Sequence, residues 1–167
     1  MELVLLAAVR EGHAQSVVFD SRENVNILNA SNAVLTCGQQ SGSPVSNLRA
    51  AGTDLYWDGG SGPPGGTNWV SINFKAARNI KTVRLYQYSG SQMMTGTVST
   101  SSDGASWTLQ PHSWASNGLT TEIVLSSAAT AQYLRLDATD INDGNGANRW
   151  IVYNLRVFGD TGALTDP

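Results

Sequence analysis

The sequence predicts a single domain folded as an antiparallel β-sandwich, or jelly roll, of about eight strands. Two observations support this prediction. Apolar and polar residues alternate along several segments, and Gly, Asn, Asp and Pro recur at turns about every ten residues. No segment repeats its apolar residues at the spacing of a long amphipathic helix. With 167 residues, the chain is long enough to bury one sizeable core without a disulfide.

The clearest strands lie within Asn68–Ser89, where we expect two strands joined by a short polar connection. In the first strand, Val70, Ile72 and Phe74 occupy alternate positions, so they face one side of a sheet. The same alternation resumes at Val83. This pair is the predicted centre of the fold, and the remaining strands are expected to cover it.

Shorter segments of the same kind predict the other strands, at 17–19, 25–28, 33–36, 95–101, 108–115, 119–125, 131–139 and 150–159. Segments rich in Gly, Ser, Asn and Pro predict the loops and turns, at 38–44, 58–67, 90–94 and 140–148. The predicted division of the chain has three parts: an N-terminal arm or short helix at 1–23, the sandwich at 24–160, and a frayed tail at 161–167.

Composition narrows the possible partners. The net charge is −3 and the ten basic residues form no stripe, so no nucleic-acid partner is predicted. No apolar run reaches the roughly 20 residues that span a bilayer. Residues 1–9 resemble a signal peptide poorly, because they carry Glu2 and no basic residue. We expect an extracellular or particle-surface location reached without a typical signal, with a cytoplasmic location as the alternative.

Five segments, in order, resemble the motifs of discoidin domains, which are also called coagulation-factor type C domains. The segments are Asn68–Phe74, Ile80–Tyr86, Ser101–Trp107, Ala131–Leu136 and Asn154–Gly159. The resemblance covers about residues 24–159. It implies a galactose-binding-domain-like β-sandwich that binds its ligand through loops at one end. Members of this family bind carbohydrates, lipids, collagen or other proteins, so the resemblance implies binding without naming the partner.

The segment Asn47–Trp57 resembles the stretch that wraps a structural calcium ion in many members of this family. Here Ala50 stands where an Asp is expected, and Asn154 stands where a Glu is expected. Calcium requires six to eight hard oxygen ligands, several of them from carboxylates. We therefore expect no cofactor and no metal, with a weak calcium site built from Asp54 and backbone carbonyls as the alternative.

We expect the ligand to bind at the loop tips, where an aromatic face beside a carboxylate would suit a sugar ring. Arg149 offers a planar fork for a carboxylate or phosphate. The alternatives are a core position for Trp57, and an Arg149 packed along the sheet. The His and Arg of the familiar galactose site are not matched. The candidate ligand-binding residues are Tyr56, Trp57, Asp58, Tyr88, Gln92, Asn145, Asn148 and Arg149.

Catalysis is not predicted. Two His residues cannot supply a three-His zinc site, and no Ser-His-Asp arrangement has a supporting context. The clustered acids Asp137, Asp140 and Asp143 fit a solvated turn better than the paired carboxylates of a glycosidase. The sequence thus predicts a non-catalytic module that binds a glycan or a cell-surface protein. The alternative is a structural or adhesive component of a virion, tail or appendage, with an N-terminal segment that mediates oligomerisation.

Overall fold

The computed structural model describes residues 26–30, 32–50, 53–60, 68–142 and 149–159. Strands dominate these residues, and the helices among them are a four-residue α-helix, α1 (Ile27–Ala30), and a 3-10 helix (Val45–Arg49). The strands are β1 (Val34–Cys37), β2 (Trp57–Asp58), β3 (Asn68–Gln87), β4 (Gln92–Ser101), β5 (Thr108–Leu109), β6 (His112–Asn117), β7 (Thr120–Asn142) and β8 (Ile151–Phe158). The predicted fold of eight antiparallel strands is confirmed.

Two long strands, β3 and β7, hold the fold together. They pair antiparallel in successive stretches, and their register shifts between Asn73 and Arg78 and again between Ile80 and Thr82. At this bend residues 75–79 are exposed, and Lys75 has a φ of 66°, in the left-handed region that few side chains adopt. The amide of Lys75 donates to Oδ1 of Asn73 at 2.8 Å, which supports the local turn of the backbone. Each long strand is thereby divided into two arms.

The two arms belong to two sheets. The first arm of β3 pairs with β1 and with the second arm of β7, which in turn pairs with β4 and then β5. The second arm of β3 pairs with β8 and with the first arm of β7, and β2 and β6 complete that sheet. Because β3 and β7 run through both sheets, the position of one sheet fixes the position of the other.

A single apolar cluster lies between the sheets. Val70, Ile72 and Phe74 are at most 1% exposed, as their alternation predicts, and Val83 and Leu85 of the other arm are fully buried. These residues belong to the same core. The hydrophobic effect stabilises such a cluster by roughly 1.5–3 kcal/mol for each large apolar side chain that is fully buried. The core therefore provides a rigid support for the loops at its two ends.

The boundaries of several predicted elements are wrong. The polar connection expected near 75–79 is part of one continuous strand, and so is the segment 126–130 between two predicted strands. Both segments keep an extended backbone between paired stretches: in the register of β3 with β7, residues 78–80 pair with 129–131, whereas 75–77 and 126–128 have no partner. The predicted strand at 25–28 is instead an isolated bridge followed by α1. There Oδ1 of Asn26 accepts hydrogen bonds from the amides of Leu28 (3.2 Å) and Val157 (3.1 Å).

The predicted turn at 90–94 is only partly correct. Residues 88–91 do turn, with Gly90 at a φ of 82°, but β4 begins at Gln92. Met93 is 2% exposed and belongs to the core, whereas Met94 is exposed. Cys37 packs partly buried against the same core, and burial raises the pKa of its thiol.

The predicted N-terminal arm (1–23), tail (161–167) and strand at 17–19 lie outside the described residues, as does much of the loops at 58–67 and 140–148. Within the described part of the chain, no helix is long and apolar enough to cross a membrane.

Candidate functional site

Three chain segments meet at one end of the sandwich, where the second arm of β3 ends and β8 begins. The amide of Gly59 donates to the carbonyl of Trp150 at 2.9 Å. The amide of Tyr88 donates to the carbonyl of Ile151 at 3.1 Å, and that of Ile151 donates to the carbonyl of Ser91 at 3.0 Å. The segments 56–60, 88–92 and 149–153 therefore form one surface, as expected from the loop placement.

An ion pair between Asp58 and Arg149 lies in this surface. Nε of Arg149 lies 3.0 Å from Oδ1 and 3.2 Å from Oδ2 of Asp58, and Nη2 also donates to Oδ2. The amide of Gly60 donates to Oδ1 at 2.9 Å. The side chain of Asp58 is 3% exposed and that of Arg149 is 46% exposed. The carboxylate thus lies below the surface and holds the guanidinium that solvent reaches.

The electrostatics of this pair follow from its geometry. Burial by itself raises the pKa of Asp58, but the hydrogen bonds from Arg149 and Gly60 and the positive charge outweigh it, so the pKa is lowered. The pKa of Arg149 is raised, chiefly by its hydrogen bonds to Asp58, with smaller contributions from nearby Tyr56 and Tyr88. Both groups are therefore charged at neutral pH, and their charges cancel.

Four tyrosines beside this pair form what we call the tyrosine shelf: Tyr56, Tyr86, Tyr88 and Tyr153. The ring of Tyr153 is at the centre, with ring centroids 6.3 Å from Tyr56, 5.5 Å from Tyr86 and 6.2 Å from Tyr88. Tyr56 and Tyr88 are 38% and 47% exposed, respectively. Burial raises the pKa of Tyr86 and of Tyr153, so these phenols are neutral at physiological pH. The shelf presents aromatic faces and neutral hydroxyl groups.

The position of Tyr153 depends on an irregularity in strand pairing. Tyr86 pairs with Asn154, but the next residue, Gln87, pairs with Val152, so Tyr153 is the additional residue of a β-bulge. A bulge changes the direction of the side chains around it and breaks the inside-outside alternation. It allows Tyr153 to lie beside Tyr86 on the outer surface.

A layer of two tryptophans supports the site from inside. Trp57 and Trp150 are fully buried, and their rings meet edge to face, with centroids 5.2 Å apart and planes at 78°. Trp57 is therefore a core residue, which was the alternative to its expected role as a ligand-binding residue. Its ring offers no surface to a ligand. Because Asp58 follows Trp57 and Arg149 precedes Trp150, this contact fixes the relative position of the two charged residues.

Gln87 connects these elements. Its side chain is fully buried, and its Oε1 accepts from Nε1 of Trp150 at 2.7 Å and from the amide of Met93 at 2.9 Å. Its Nε2 donates to Oγ1 of Thr121 at 2.9 Å. One side chain thus joins β3, β4, β7 and the residue before β8.

The remaining predicted site residues are placed as follows. Gln92 lies at the start of β4, and its Nε2 donates to the carbonyl of Gly118 at 3.0 Å. This bond ties Gln92 to the β6–β7 turn. Asn145 and Asn148 lie outside the described residues. The structure therefore brings together Tyr56, Asp58, Tyr88 and Arg149.

Tyr86 and Tyr153 were missed as site residues. The available signal was the presence of tyrosines at 86, 88 and 153, near the ends of two predicted strands. The alternation along 150–159 instead assigned Tyr153 to the same face as Ile151 and Leu155, which are buried. The β-bulge turns the ring of Tyr153 to the surface, and the alternation of residues gives no sign of it.

The acidic residues of β7 are apart from this surface pair. Asp137 forms an ion pair with Arg135, whose guanidinium also lies over the ring of Trp69 at 4.4 Å from its centroid. Asp140 is exposed within β7. Within the described ranges, no group of three or more His, Cys, Asp or Glu side chains is arranged to hold a metal ion.

Comparison with protein families identifies this architecture. The model of the F5/8 type C domain matches residues 28–152, which is most of the chain, and confirms the resemblance seen in the motifs. No match was found among curated proteins.

Several solved structures have the same fold. Chitosan-binding module 1 of a chitosanase/glucanase from Paenibacillus sp. IK-5 is 19% identical, with a TM-score of 0.66, covering 80% of this chain and 98% of that one. The family 32 carbohydrate-binding module of C. perfringens NanJ, solved with galactose, is 15% identical, with a TM-score of 0.65, covering 80% and 97%. Chitosan-binding module 2 from Paenibacillus sp. IK-5, solved with chitotriose, is 18% identical, with a TM-score of 0.64, covering 80% and 100%.

Proposed function

The chain belongs to the F5/8 type C domain family, and we propose that it is a non-catalytic module that binds a neutral glycan on the tyrosine shelf. The observation that carries this proposal is the arrangement of Tyr56, Tyr88 and Tyr153 beside the ion pair of Asp58 and Arg149. A sugar ring stacks on an aromatic face and forms hydrogen bonds with polar groups. The tyrosines supply the aromatic face, and the adjacent ion pair supplies polar groups.

The aromatic part suits the apolar face of a sugar ring. Tyrosine combines a large, rigid apolar surface with a hydroxyl group that can donate or accept a hydrogen bond. It has few rotatable bonds, so binding immobilises it at a low cost in entropy. Tyr56 and Tyr88 are each more than a third exposed, so their surfaces are accessible without a rearrangement of the core.

The charged part favours a neutral ligand over an anionic one. The carboxylate of Asp58 lies directly behind the guanidinium of Arg149, so an incoming carboxylate or phosphate meets a pair whose net charge is zero. A neutral hydroxyl group can still accept a charge-assisted hydrogen bond from a guanidinium. We therefore propose a neutral hydroxyl group as the partner of Arg149, in preference to the carboxylate or phosphate expected from the sequence.

Structures with the same fold support a glycan as the ligand. The NanJ module was solved with galactose, and chitosan-binding module 2 was solved with chitotriose. Their identity to this chain is below 20%, so the particular sugar does not carry over. The proposal for this chain therefore rests on its own shelf and extends to neutral glycans as a class.

The chemistry of Asp58 fits the proposed non-catalytic role. Glycosidases usually need two carboxyl groups about 5–10 Å apart, one of which is free to donate a proton. At this site Asp58 is held in an ion pair and its lowered pKa keeps it ionised, so it is poorly suited to act as a general acid.

A glycan array probed with the full chain tests the proposal. We expect retention on neutral glycans and no preference for their sialylated or uronate-containing counterparts. Leu109→Ala should bind as the wild type does, because Leu109 is 66% exposed on β5, away from the shelf. Absence of binding to any glycan would contradict the proposal. A mass that rises with protein concentration in light scattering, together with an empty array, would instead support the role in an assembly.

A further inference from the structure

Arg156 is a buried cation in the last strand. Its residue is 5% exposed, although arginine is almost never fully buried without partners. Nη1 donates to the carbonyl of Leu155 at 3.1 Å, and Nη2 donates to the carbonyl of Ala50 at 3.1 Å. The second bond joins β8 to a residue 106 positions earlier in the chain.

Ala50 ends the 3-10 helix (Val45–Arg49), which links β1 to the loop that carries Tyr56. Leu48 anchors this helix in the core and is fully buried. The side chain of Asn47 donates to the carbonyl of Tyr56 at 2.9 Å, and Nη2 of Arg49 donates to the carbonyl of Ala33. The segment is thus held through backbone carbonyls that accept hydrogen bonds from side chains.

These residues do not fit the calcium site that many members of the family have in this segment. Calcium needs several hard oxygen ligands, and the two expected carboxylates are replaced by Ala50 and Asn154. The carbonyl oxygen of Ala50 already accepts a hydrogen bond from Arg156. A divalent cation placed near this oxygen would also be repelled by the buried guanidinium.

We infer that the guanidinium of Arg156 takes the place of a structural metal ion in this chain and fastens the 3-10 helix to β8. A guanidinium is always charged and donates in fixed directions, so it can satisfy several carbonyl oxygens around one point. Unlike a metal ion, it is covalently attached and cannot be removed by a chelator. The stability of this domain should therefore not depend on calcium.

Thermal unfolding of the full chain in excess calcium chloride and in excess EDTA tests this inference. The Tm of the wild type should agree within about 1 °C between the two conditions. Arg156→Met keeps an unbranched stem but removes the donor of the buried bond to Leu155 and of the partly buried bond to Ala50, so its Tm should fall by roughly 5 °C or more. Added calcium should not restore it.

Arg78→Met is the matched control. Arg78 is exposed at the bend of β3, so its replacement removes the same charge without removing these bonds and should leave the Tm nearly unchanged. A wild-type Tm that rises saturably with calcium, or falls in EDTA, would overturn the inference. So would an Arg156→Met variant as stable as the wild type. If Arg156→Met does not fold, the comparison of calcium and EDTA on the wild type still decides the question.

Discussion

The carboxylate of Asp58 lies beneath the guanidinium of Arg149, with exposures of 3% and 46% for the two side chains. The partners are 91 residues apart in the chain and are brought together by the pairing of β2 with β8. The buried carboxylate stabilises this end of the sandwich, and the exposed guanidinium is the charged group that a ligand meets.

The first prediction concerns the pH dependence of this pair. Because the pKa of Asp58 is lowered in the folded protein, its contribution is fully present above about pH 5 and is lost as pH falls through the folded pKa. Asp58→Asn should lower the free energy of unfolding by about 1–3 kcal/mol at neutral pH, since one partner is half exposed. Urea unfolding from neutral to acidic pH should show this difference shrinking below about pH 4.

A double-mutant cycle that combines Asp58→Asn with Arg149→Met separates the energy of this ion pair from the titration of other acidic residues. The coupling energy between the two positions should be favourable at neutral pH and close to zero once Asp58 is protonated. A coupling energy that does not change with pH would contradict the assignment of this ion pair.

The second prediction concerns Gln87. Gln87→Leu leaves the indole N–H of Trp150 and the amide of Met93 without their acceptor inside the core. Unfolding by denaturant should show a loss of about 2–4 kcal/mol, because each buried donor left unpaired costs about 1–3 kcal/mol. Gln110→Leu is the control, since its bond to Thr100 is only partly buried, and it should cost less than about 1 kcal/mol. Equal effects of the two changes would argue against the connecting role of Gln87.

The third prediction concerns the close approach of β4 to β7. A Cβ atom at Gly96 would lie 2.4 Å from the backbone oxygen of Asp137 and 2.9 Å from Sδ of Met93. Gly96→Ala should therefore destabilise the protein by about 1–3 kcal/mol in thermal or chemical unfolding. Thr95→Ala, at the neighbouring exposed position, should cost less than about 1 kcal/mol. A stable Gly96→Ala variant would show that the strands lie farther apart.

The core of the fold could be predicted from the sequence because its strands have one buried face. Val70, Ile72 and Phe74 alternate with polar residues, and burial follows the alternation. The continuity of β3 could not be predicted, because residues 75–79 are exposed on both faces and give no hydrophobic period. Within this segment only Arg78 and Asn79 pair with β7, so the strand runs on through an exposed extended stretch that no side-chain pattern marks.

The site was only partly predictable for a related reason. Tyr56, Asp58, Tyr88 and Arg149 could be proposed from the sequence because each is an aromatic or charged residue in or beside a predicted loop. Their pairing was not predicted, since it depends on contacts distant in sequence. Tyr153 was assigned to the wrong face, because one additional residue in β8 reverses the alternation from that point.

The central claim is that the tyrosine shelf binds a neutral sugar, and a titration of ¹⁵N-labelled protein followed by NMR tests it most directly. With a neutral glycan from the array, the amide signals of residues 56–60, 88–91 and 149–153 should shift together. Tyr88→Ala should weaken the affinity roughly 10-fold, about 1.4 kcal/mol. Tyr133→Ala should not, because Tyr133 lies beside Trp107 and pairs with Asn73 in the other sheet. Shifts confined to another surface, or an affinity unaffected by Tyr88→Ala, would contradict the claim.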